Sequence, residues 1–320
     1  MRRIERLITA IRTPTDNETA VTDQSGISDD EITSILNDAQ SYLQQELETI
    51  NDEPFVRETT LNTVAGTEAV QLPARTYLGQ NIKMVEYSPT GAAVSFRRLR
   101  QITLFERQAI AGGGQPQYYM TRNKQLLLSP IPSASVTGGI RLNFVQQLPT
   151  LSKRRAKIAS RTITSGAITA LTLDITDYAT YFPGASAFSS TSILVDDLFS
   201  IVDANGTIMA RNVPITAING SGVCTLGTYT PESSTETAAV GSYLVAGSNA
   251  TTHCELPDAC EQFLIHWGKW QVLERDGFFQ ESQSEQARLQ KLETSIKGAW
   301  NRISNDVHYI PILNSDYLFG

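Results

Sequence analysis

The chain has 320 residues, of which 41% are hydrophobic and 18% charged, and its formal net charge is −7. This length suffices for about two domains with buried cores, and the composition excludes a disordered tail, a collagen-like fibre and a disulfide-stabilised miniprotein. No apolar stretch approaches the ~18 residues that a membrane span needs, and charged residues interrupt any signal-peptide core. The three cysteines, Cys224, Cys254 and Cys260, lack the paired spacing of a disulfide framework. We therefore expect a cytosolic product with reduced thiols.

The first residues, 1–54, predict two helices. Ile4, Leu7, Ile8 and Ile11 recur at helical spacing among arginines, so a short basic amphipathic helix is expected before Pro14. Ser28 and Glu31 form a capping-box pair, and an apolar stripe follows as far as Ile50. We expect this second, long helix to be buried along one face.

Residues 55–150 change to an alternation of period two and predict a core β-domain. A hairpin tip is expected at Arg122–Lys124. Between the strands, residues 101–111 have helical spacing in Ile102, Phe105, Ala109 and Ile110, which predicts one short helix across the sheet, ended by Gly112–Gly114. Three arginines, Arg97, Arg98 and Arg100, stand close together in this region.

The acidity of the chain is concentrated in one internal segment. Between Thr162 and Cys260 nine acidic residues stand against one basic residue, a net of −8, so the rest of the chain sums to +1. Directly before it comes a basic run without any acid, made of Lys153, Arg154, Arg155, Lys157 and Arg161. The region is also rich in Thr, Ser, Ala and Gly, so we predict a second, inserted all-β domain over 151–250, a sandwich or small barrel of six or seven strands.

The helical period returns after Pro257–Asp258, breaks at Gly277 and continues in a second long helix, which predicts a helical hairpin over 251–307. Residues 308–320 form an extended apolar tail. The predicted fold class is therefore α+β: an α-helical bundle of the N-terminal helix and two C-terminal helices, a β-sandwich or barrel domain, and an inserted all-β domain.

Catalytic chemistry finds little support in the sequence. None of the common motifs for a nucleophilic triad, a zinc protease or a phosphate loop appears. His253, Cys254, Cys260 and His266 are close in sequence, but their spacing matches no common zinc site. We predict no enzyme activity, no metal and no cofactor. The basic run and the arginine cluster allow two interpretations. One is a solvated surface or an interdomain salt-bridge face, and the other is contact with a phosphate backbone or an acidic neighbour.

Three proline-punctuated strands carry a resemblance to a known family. They are Gly114-Gln-Pro116-Gln-Tyr118-Tyr119, Leu126-Leu-Leu128-Ser-Pro130-Ile-Pro132 and Ile140-Arg-Leu142-Asn-Phe144-Val-Gln-Gln-Leu-Pro149. This pattern, with Leu256-Pro257-Asp258-Ala259 leading into a Trp-rich helix, resembles the head-to-tail adaptor (connector) proteins of tailed bacteriophages. The resemblance covers about 28–150 and 255–307, and the β-region at 162–247 looks like an insertion that smaller adaptors lack.

The resemblance implies a structural virion protein of the phage neck. It implies a ring of about twelve copies between portal and tail that extends the DNA channel and serves tail assembly and DNA ejection. The expected partners are the portal protein, tail or nozzle proteins and other copies of the chain, with non-specific DNA contact and without a membrane. We expect the apolar tail to bind the portal or a neighbouring copy through Tyr309, Ile310, Ile312, Leu313, Tyr317, Leu318 and Phe319. For Lys153, Arg154, Arg155, Lys157 and Arg161, the DNA channel and an acidic subunit face are both open.

One competing hypothesis is a receptor- or carbohydrate-binding virion protein of the tail-fibre or tailspike type. It draws on the Ser/Thr-rich β-region and its aromatic residues Tyr178, Tyr181, Phe182 and Tyr229. Long helices that bracket such a region and return to a bundle speak against it.

Overall fold

The fold is α+β, as the sequence predicts. The computed structural model describes residues 3–12, 27–73, 75–76, 81–92, 95–108, 110, 112–164, 167–181, 197–231 and 240–308. The α-helices of these residues are α1 (Ile4–Arg12), α2 (Asp29–Ile50), α3 (Leu104–Gln108), α4 (Ile175–Tyr181), α5 (Glu261–Arg275) and α6 (Phe279–His308). Short 3-10 helices at Glu53–Phe55 and Asp258–Cys260 precede β1 and α5. No helix among the described residues is long and apolar enough to cross a membrane.

The chain divides into two compact units. One is Leu47–Leu148, called the β unit below; the other is Met1–Glu46 together with Pro149–Gly320, called the mixed unit. The sequence predicts five smaller segments (1–54, 55–150, 151–250, 251–307 and 308–320), and their bounds stay a prediction.

The β unit contains two four-stranded sheets. Its strands are β1 (Val56–Thr63), β2 (Ala69–Gln71), β3 (Ile82–Tyr87), β4 (Arg97–Arg98), β5 (Arg100–Gln101), β6 (Gly113–Gly114), β7 (Tyr118–Arg122), β8 (Gln125–Ser129), β9 (Ile131–Pro132) and β10 (Val136–Val145). The sheet orders are β1-β10-β3-β4 and β2-β8-β7-β5, and β6 pairs with β9. Inward side chains of both sheets, among them Val85, Leu128 and Phe144, join one core. The predicted hairpin tip is confirmed, since Asn123 and Lys124 have φ of 51° and 59° between β7 and β8.

The short helix of the β unit differs from its prediction in which side chains it exposes. A capping box holds α3, in which Thr103 N–H donates to Glu106 at 2.8 Å and Glu106 N–H donates to the Thr103 hydroxyl at 3.3 Å. Phe105 is nevertheless 85% exposed and Leu104 52% exposed. The helix has only five residues, too few for an apolar stripe to cover the sheet. Ile102 is buried and Ile110 is partly buried against the same core, but both flank the helix, and Ala109 lies outside the described residues.

The β-region of the mixed unit closes on itself. Its strands are β11 (Thr150–Leu151), β12 (Arg154–Thr164), β13 (Ala167–Leu173), β14 (Leu198–Val202), β15 (Ile208–Ile218), β16 (Val223–Leu226), β17 (Thr230–Pro231), β18 (Tyr243–Ala246) and β19 (Ala250–Thr251). Pairing runs β14-β18-β12-β13-β16-β15, and β15 pairs again with β14. These six strands, called the β-ring below, enclose a core that includes Leu171, Phe199 and Ile201.

The helices of the mixed unit contact one another through apolar and aromatic side chains. The capping box of α2 is confirmed, with Ser28 N–H donating to Glu31 at 2.8 Å. Tyr42 on α2 stacks near Phe263 and Trp267 on α5, with ring centroids 6.2 and 5.0 Å apart. Gly277, with φ of +81°, separates α5 from α6 as predicted. The predicted description of these helices as a bundle stays a prediction.

Candidate functional site

The basic run lies on a strand that is built into the β-ring. β12 pairs with β18 through Arg154, Ala156 and Lys157, and with β13 from Ile158 onward. Because successive side chains of a strand point to opposite faces, Arg154, Ala156 and Ile158 are buried while Arg155 and Lys157 are half-buried. Arg161 lies past a register irregularity and is exposed. The five cations therefore do not form one continuous surface.

Arg154 is the most enclosed of these cations, at 4% exposure. Its guanidinium lies 3.7 Å from the centre of the Tyr243 ring, and Nη2 donates to the Ala204 carbonyl at 3.5 Å. The ring face carries partial negative charge and attracts the cation. This side chain packs inside its own unit.

Lys153 takes part in an ion cluster at the start of α2. Its Nζ is 2.8 Å from Asp29 Oδ2, and Arg12 Nη2 is 2.7 Å from Asp29 Oδ1. Burial by itself raises the pKa of Asp29, but the hydrogen bonds and charges of Lys153 and Arg12 outweigh it and lower that pKa below its usual value. The carboxylate thus connects α1, α2 and the segment that leads into β12.

His253 lies beside this basic region and is buried at 7% exposure. Its Nδ1 is 2.8 Å from the Thr252 hydroxyl, and Gly206 lies so close that a Cβ there would be 2.3 Å from the ring. Burial, with the charges of Arg154 and Arg3, lowers the pKa of His253 to about 4. The ring is therefore neutral at neutral pH. No local sequence pattern predicts this contact, because Gly206 and His253 are far apart along the chain.

The C-terminal helices hold a polar network next to their aromatic contacts. Lys297 Nζ on α6 is 2.5 Å from Glu46 Oε2 and 2.7 Å from Glu293 Oε1, and the Tyr42 hydroxyl donates to Glu293 at 3.1 Å. His266 Nδ1 lies 2.5 Å from Glu285, which also binds Arg288 at 2.9 Å. These contacts position α6 against α2 and α5. The tail residues predicted to bind a partner, from Tyr309 to Phe319, lie outside the described residues.

The thiols are enclosed and protonated. Cys224, Cys254 and Cys260 are free and buried. Burial raises the pKa of Cys224 and Cys254 to about 12 and that of Cys260 to about 11. Within the described ranges, no group of three or more His, Cys, Asp or Glu side chains could hold a metal ion.

The comparison with protein families identifies the chain. A family model described as SU10 adaptor protein matches residues 3–185, more than half of the chain. The chain therefore belongs to this family of phage head-to-tail adaptors and is a structural adaptor protein that associates with other proteins of the phage particle. No curated protein matches it. The matched stretch runs from α1 through β12, β13 and α4, so it starts earlier than the sequence resemblance, enters the β-region and stops before α5.

Proposed function

We propose that this adaptor forms a ring of about twelve copies between the portal and the tail of a tailed phage and extends the DNA channel. The family match over residues 3–185 is the observation that carries this proposal. The contacts of α2, α5 and α6 support it, because a ring subunit needs a rigid body on which to present its partner-binding surfaces.

The segment 309–320 is the proposed portal-binding element. It follows directly on α6, which ends at His308, and it carries seven large apolar or aromatic residues: Tyr309, Ile310, Ile312, Leu313, Tyr317, Leu318 and Phe319. Burying such side chains against a partner releases roughly 1.5–3 kcal/mol for each one fully buried. The tail could therefore supply much of the affinity for the portal or a neighbouring copy.

The experiment that tests the ring is the molar mass of the full chain, alone and mixed with its portal, by light scattering or native mass spectrometry. We expect a closed ring, formed either alone or on the portal. A chain that stays monomeric in the presence of the portal would refute the proposal.

The tail is tested by replacing its seven apolar and aromatic residues with Ser. This variant should keep the thermal stability of the parent and lose portal binding. The control replaces Asn314 and Asp316 with Ser, which changes the same segment without removing apolar surface, and should bind as the parent does. Equal portal binding by both variants would remove the tail from the interface.

The basic strand is proposed to contact DNA or an acidic subunit face through its accessible members, Arg155, Lys157 and Arg161. Lys157→Glu with Arg161→Glu should impair either assembly or DNA retention, because both contacts depend on positive charge. Lys291→Glu, at an exposed position of α6, is the control for a general change in charge. Normal assembly and normal DNA retention in the double variant would remove both contacts.

Two of the four aromatic residues behind the receptor-binding hypothesis give it no support, while Phe182 and the side chain of Tyr181 lie outside the described part of the chain. Tyr178 is 1% exposed and Tyr229 is partly buried, and both pack on the core of the β-ring. Aromatic side chains that bind sugars must be open to solvent, so these two belong to the core instead.

A further inference from the structure

A groove on the β unit collects positive charge that the proposed function does not use. It has a volume of about 420 Å³ and lies between β3 and the segment that holds β4 and β5. Its charged lining residues are Lys83, Arg98 and Arg100, with Gln101 and Tyr119 beside them. Among the described residues that line it, none is acidic, in a protein whose net charge is −7.

The two arginines are held on one side of the backbone by the residue between them. Leu99 is 4% exposed and packs in the core of the β unit, and its N–H donates to the Val85 carbonyl at 2.8 Å. Arg100 N–H in turn donates to the Gln117 carbonyl at 3.0 Å. Since side chains alternate along an extended backbone, Arg98 and Arg100 both point away from the core that Leu99 enters.

Each of the three cations has a carboxylate near it, but Arg98 is not paired with its own. Glu86 lies opposite Arg98 on β3 and forms its ion pair with Arg141. Within the part of the chain that the structure describes, Arg98 and the adjacent Arg97 make no ion pair. Arg100 Nη2 is 3.7 Å from Glu106 Oε1, and its side chain is 75% exposed. An ion pair this exposed contributes little to stability, so Arg100 can exchange Glu106 for an anion that binds it more strongly. Lys83, the third cation, pairs with Asp52 at the edge of the groove and stays 40% exposed.

The sequence around the groove adds to its positive electrostatic potential. Between Asn81 and Lys124 the chain carries seven basic residues against two acidic ones. Burial raises the pKa of the Tyr119 hydroxyl, and the positive charge of Arg98, which lines the same groove, partly opposes that rise. Charge of one sign in a concave surface concentrates ions of the opposite sign.

We propose that this groove binds the phosphodiester backbone of nucleic acid, without reading its sequence. Residues two apart on an extended strand are separated by about 6.6 Å, so the two guanidinium groups can contact different phosphates of one backbone. Each guanidinium offers donors in a planar fork that fits a phosphate group, and an exposed Gln101 adds a neutral donor. A phosphodiester backbone carries a negative charge at every nucleotide, whereas an acidic polypeptide carries one only at its acidic residues, so the continuous charge favours nucleic acid as the partner.

This inference takes its biological setting from the proposed DNA channel, but its test needs no assembled ring. The probe is a short labelled duplex of random sequence, and its binding to the full chain is followed by fluorescence anisotropy between about 50 and 200 mM salt. The test variant is Arg98→Gln with Arg100→Gln. The control is Arg122→Gln with Lys291→Gln, which removes the same charge from two exposed positions away from the groove. A sodium polyglutamate competitor distinguishes an acidic protein partner.

We expect the test variant to bind the duplex roughly tenfold more weakly at about 50 mM salt and to lower the slope of log K against log salt by about two. The control variant should match the parent. Equal weakening in both variants, absence of duplex binding by the parent, or equal competition by polyglutamate would overturn the proposal. Ring formation is measured separately, so a chain that binds DNA without forming a ring refutes only the ring.

Discussion

Two clusters of basic residues look alike in the sequence and differ in the fold. Two cations of the basic run are used inside their own unit: Arg154 on β12 lies against the ring of Tyr243, and Lys153, just before β12, pairs with Asp29. The arginines of β4 and β5 stand around an open groove, and Arg98 has no carboxylate partner among the described residues. The density of charge along a chain therefore does not tell whether the charges stabilise the fold or face a partner.

The difference follows from what flanks each cluster. Ala156 and Ile158 alternate with Arg155 and Lys157, so β12 enters a closed ring of strands and carries Arg154 inward with its apolar neighbours. Leu99 is the single buried residue between Arg98 and Arg100, and it fixes their backbone without covering them. If this contrast is correct, substitutions around β12 should lower the stability of the fold, whereas substitution of the groove arginines should not.

The largest loss of stability is expected from Gly206→Ala, at the contact between the β-ring and His253. Gly206 has φ of +88°, and an added Cβ would meet the His253 ring at 2.3 Å, so both the backbone and the neighbour must move. We expect a loss of about 3 kcal/mol or more in the free energy of unfolding, measured by urea denaturation.

The control for this substitution is Gly66→Ala in a turn of the β unit. Gly66 has φ of +74°, but no atom lies within 4 Å of an added Cβ. Only the backbone cost, about 1 kcal/mol, is expected there. Equal losses at the two positions would show that the packing around His253 is looser than described.

The second effect is a dependence on pH through His253. Its pKa is about 4 in the folded protein against 6.5 as the ordinary value, so the unfolded chain binds the extra proton first as pH falls. Stability is therefore complete above pH 6.5 and is lost between 6.5 and 4, by up to about 3 kcal/mol. Urea midpoints measured across this window should fall in the parent and fall less in His253→Gln. Parallel curves for the two proteins would contradict the assignment.

Local signals in the sequence were sufficient for much of this structure. The capping box at Ser28 and Glu31, the hairpin tip at Asn123 and the helix break at Gly277 each depend on residues close in sequence, and the structure confirms them. The helical spacing of Phe105 did not indicate its burial: α3 has only five residues, and Phe105 is 85% exposed. The charge boundary at Thr162 cuts through β12, since pairing of distant strands joins basic and acidic residues in one β-ring. The groove beside β4 was equally hidden, because only the fold brings Lys83 near Arg98.

A smaller difference in stability is expected between matched substitutions in the two basic clusters, at Arg154 beside Tyr243 and at Arg98 in the groove. Arg154→Ala removes a buried side chain and its contact with Tyr243, and we expect it to lower the free energy of unfolding by about 2 kcal/mol. Arg98→Ala removes an exposed side chain without an ion pair and should change stability by less than about 0.5 kcal/mol. Thermal and urea unfolding of both variants measure the difference. Similar stabilities would mean that Arg154 is not held by the fold, and the contrast between the two clusters would fail.

The smallest effect concerns Asp29, which joins Lys153 and Arg12 at the start of α2. Asp29→Asn removes both ion pairs, but the side chain is 41% exposed, so water screens much of the interaction and a loss of about 1 kcal/mol or less is expected at neutral pH. The pKa of Asp29 is lowered in the folded state, so its contribution is present above the ordinary pKa of 3.8 and disappears as pH falls through the folded value. The parent and Asp29→Asn should therefore differ in urea midpoint at pH 7 and converge in acid. A difference that persists in acid would mean that Asp29 acts through packing rather than charge, and Lys153 would then be free to serve a partner, as the groove arginines are proposed to do.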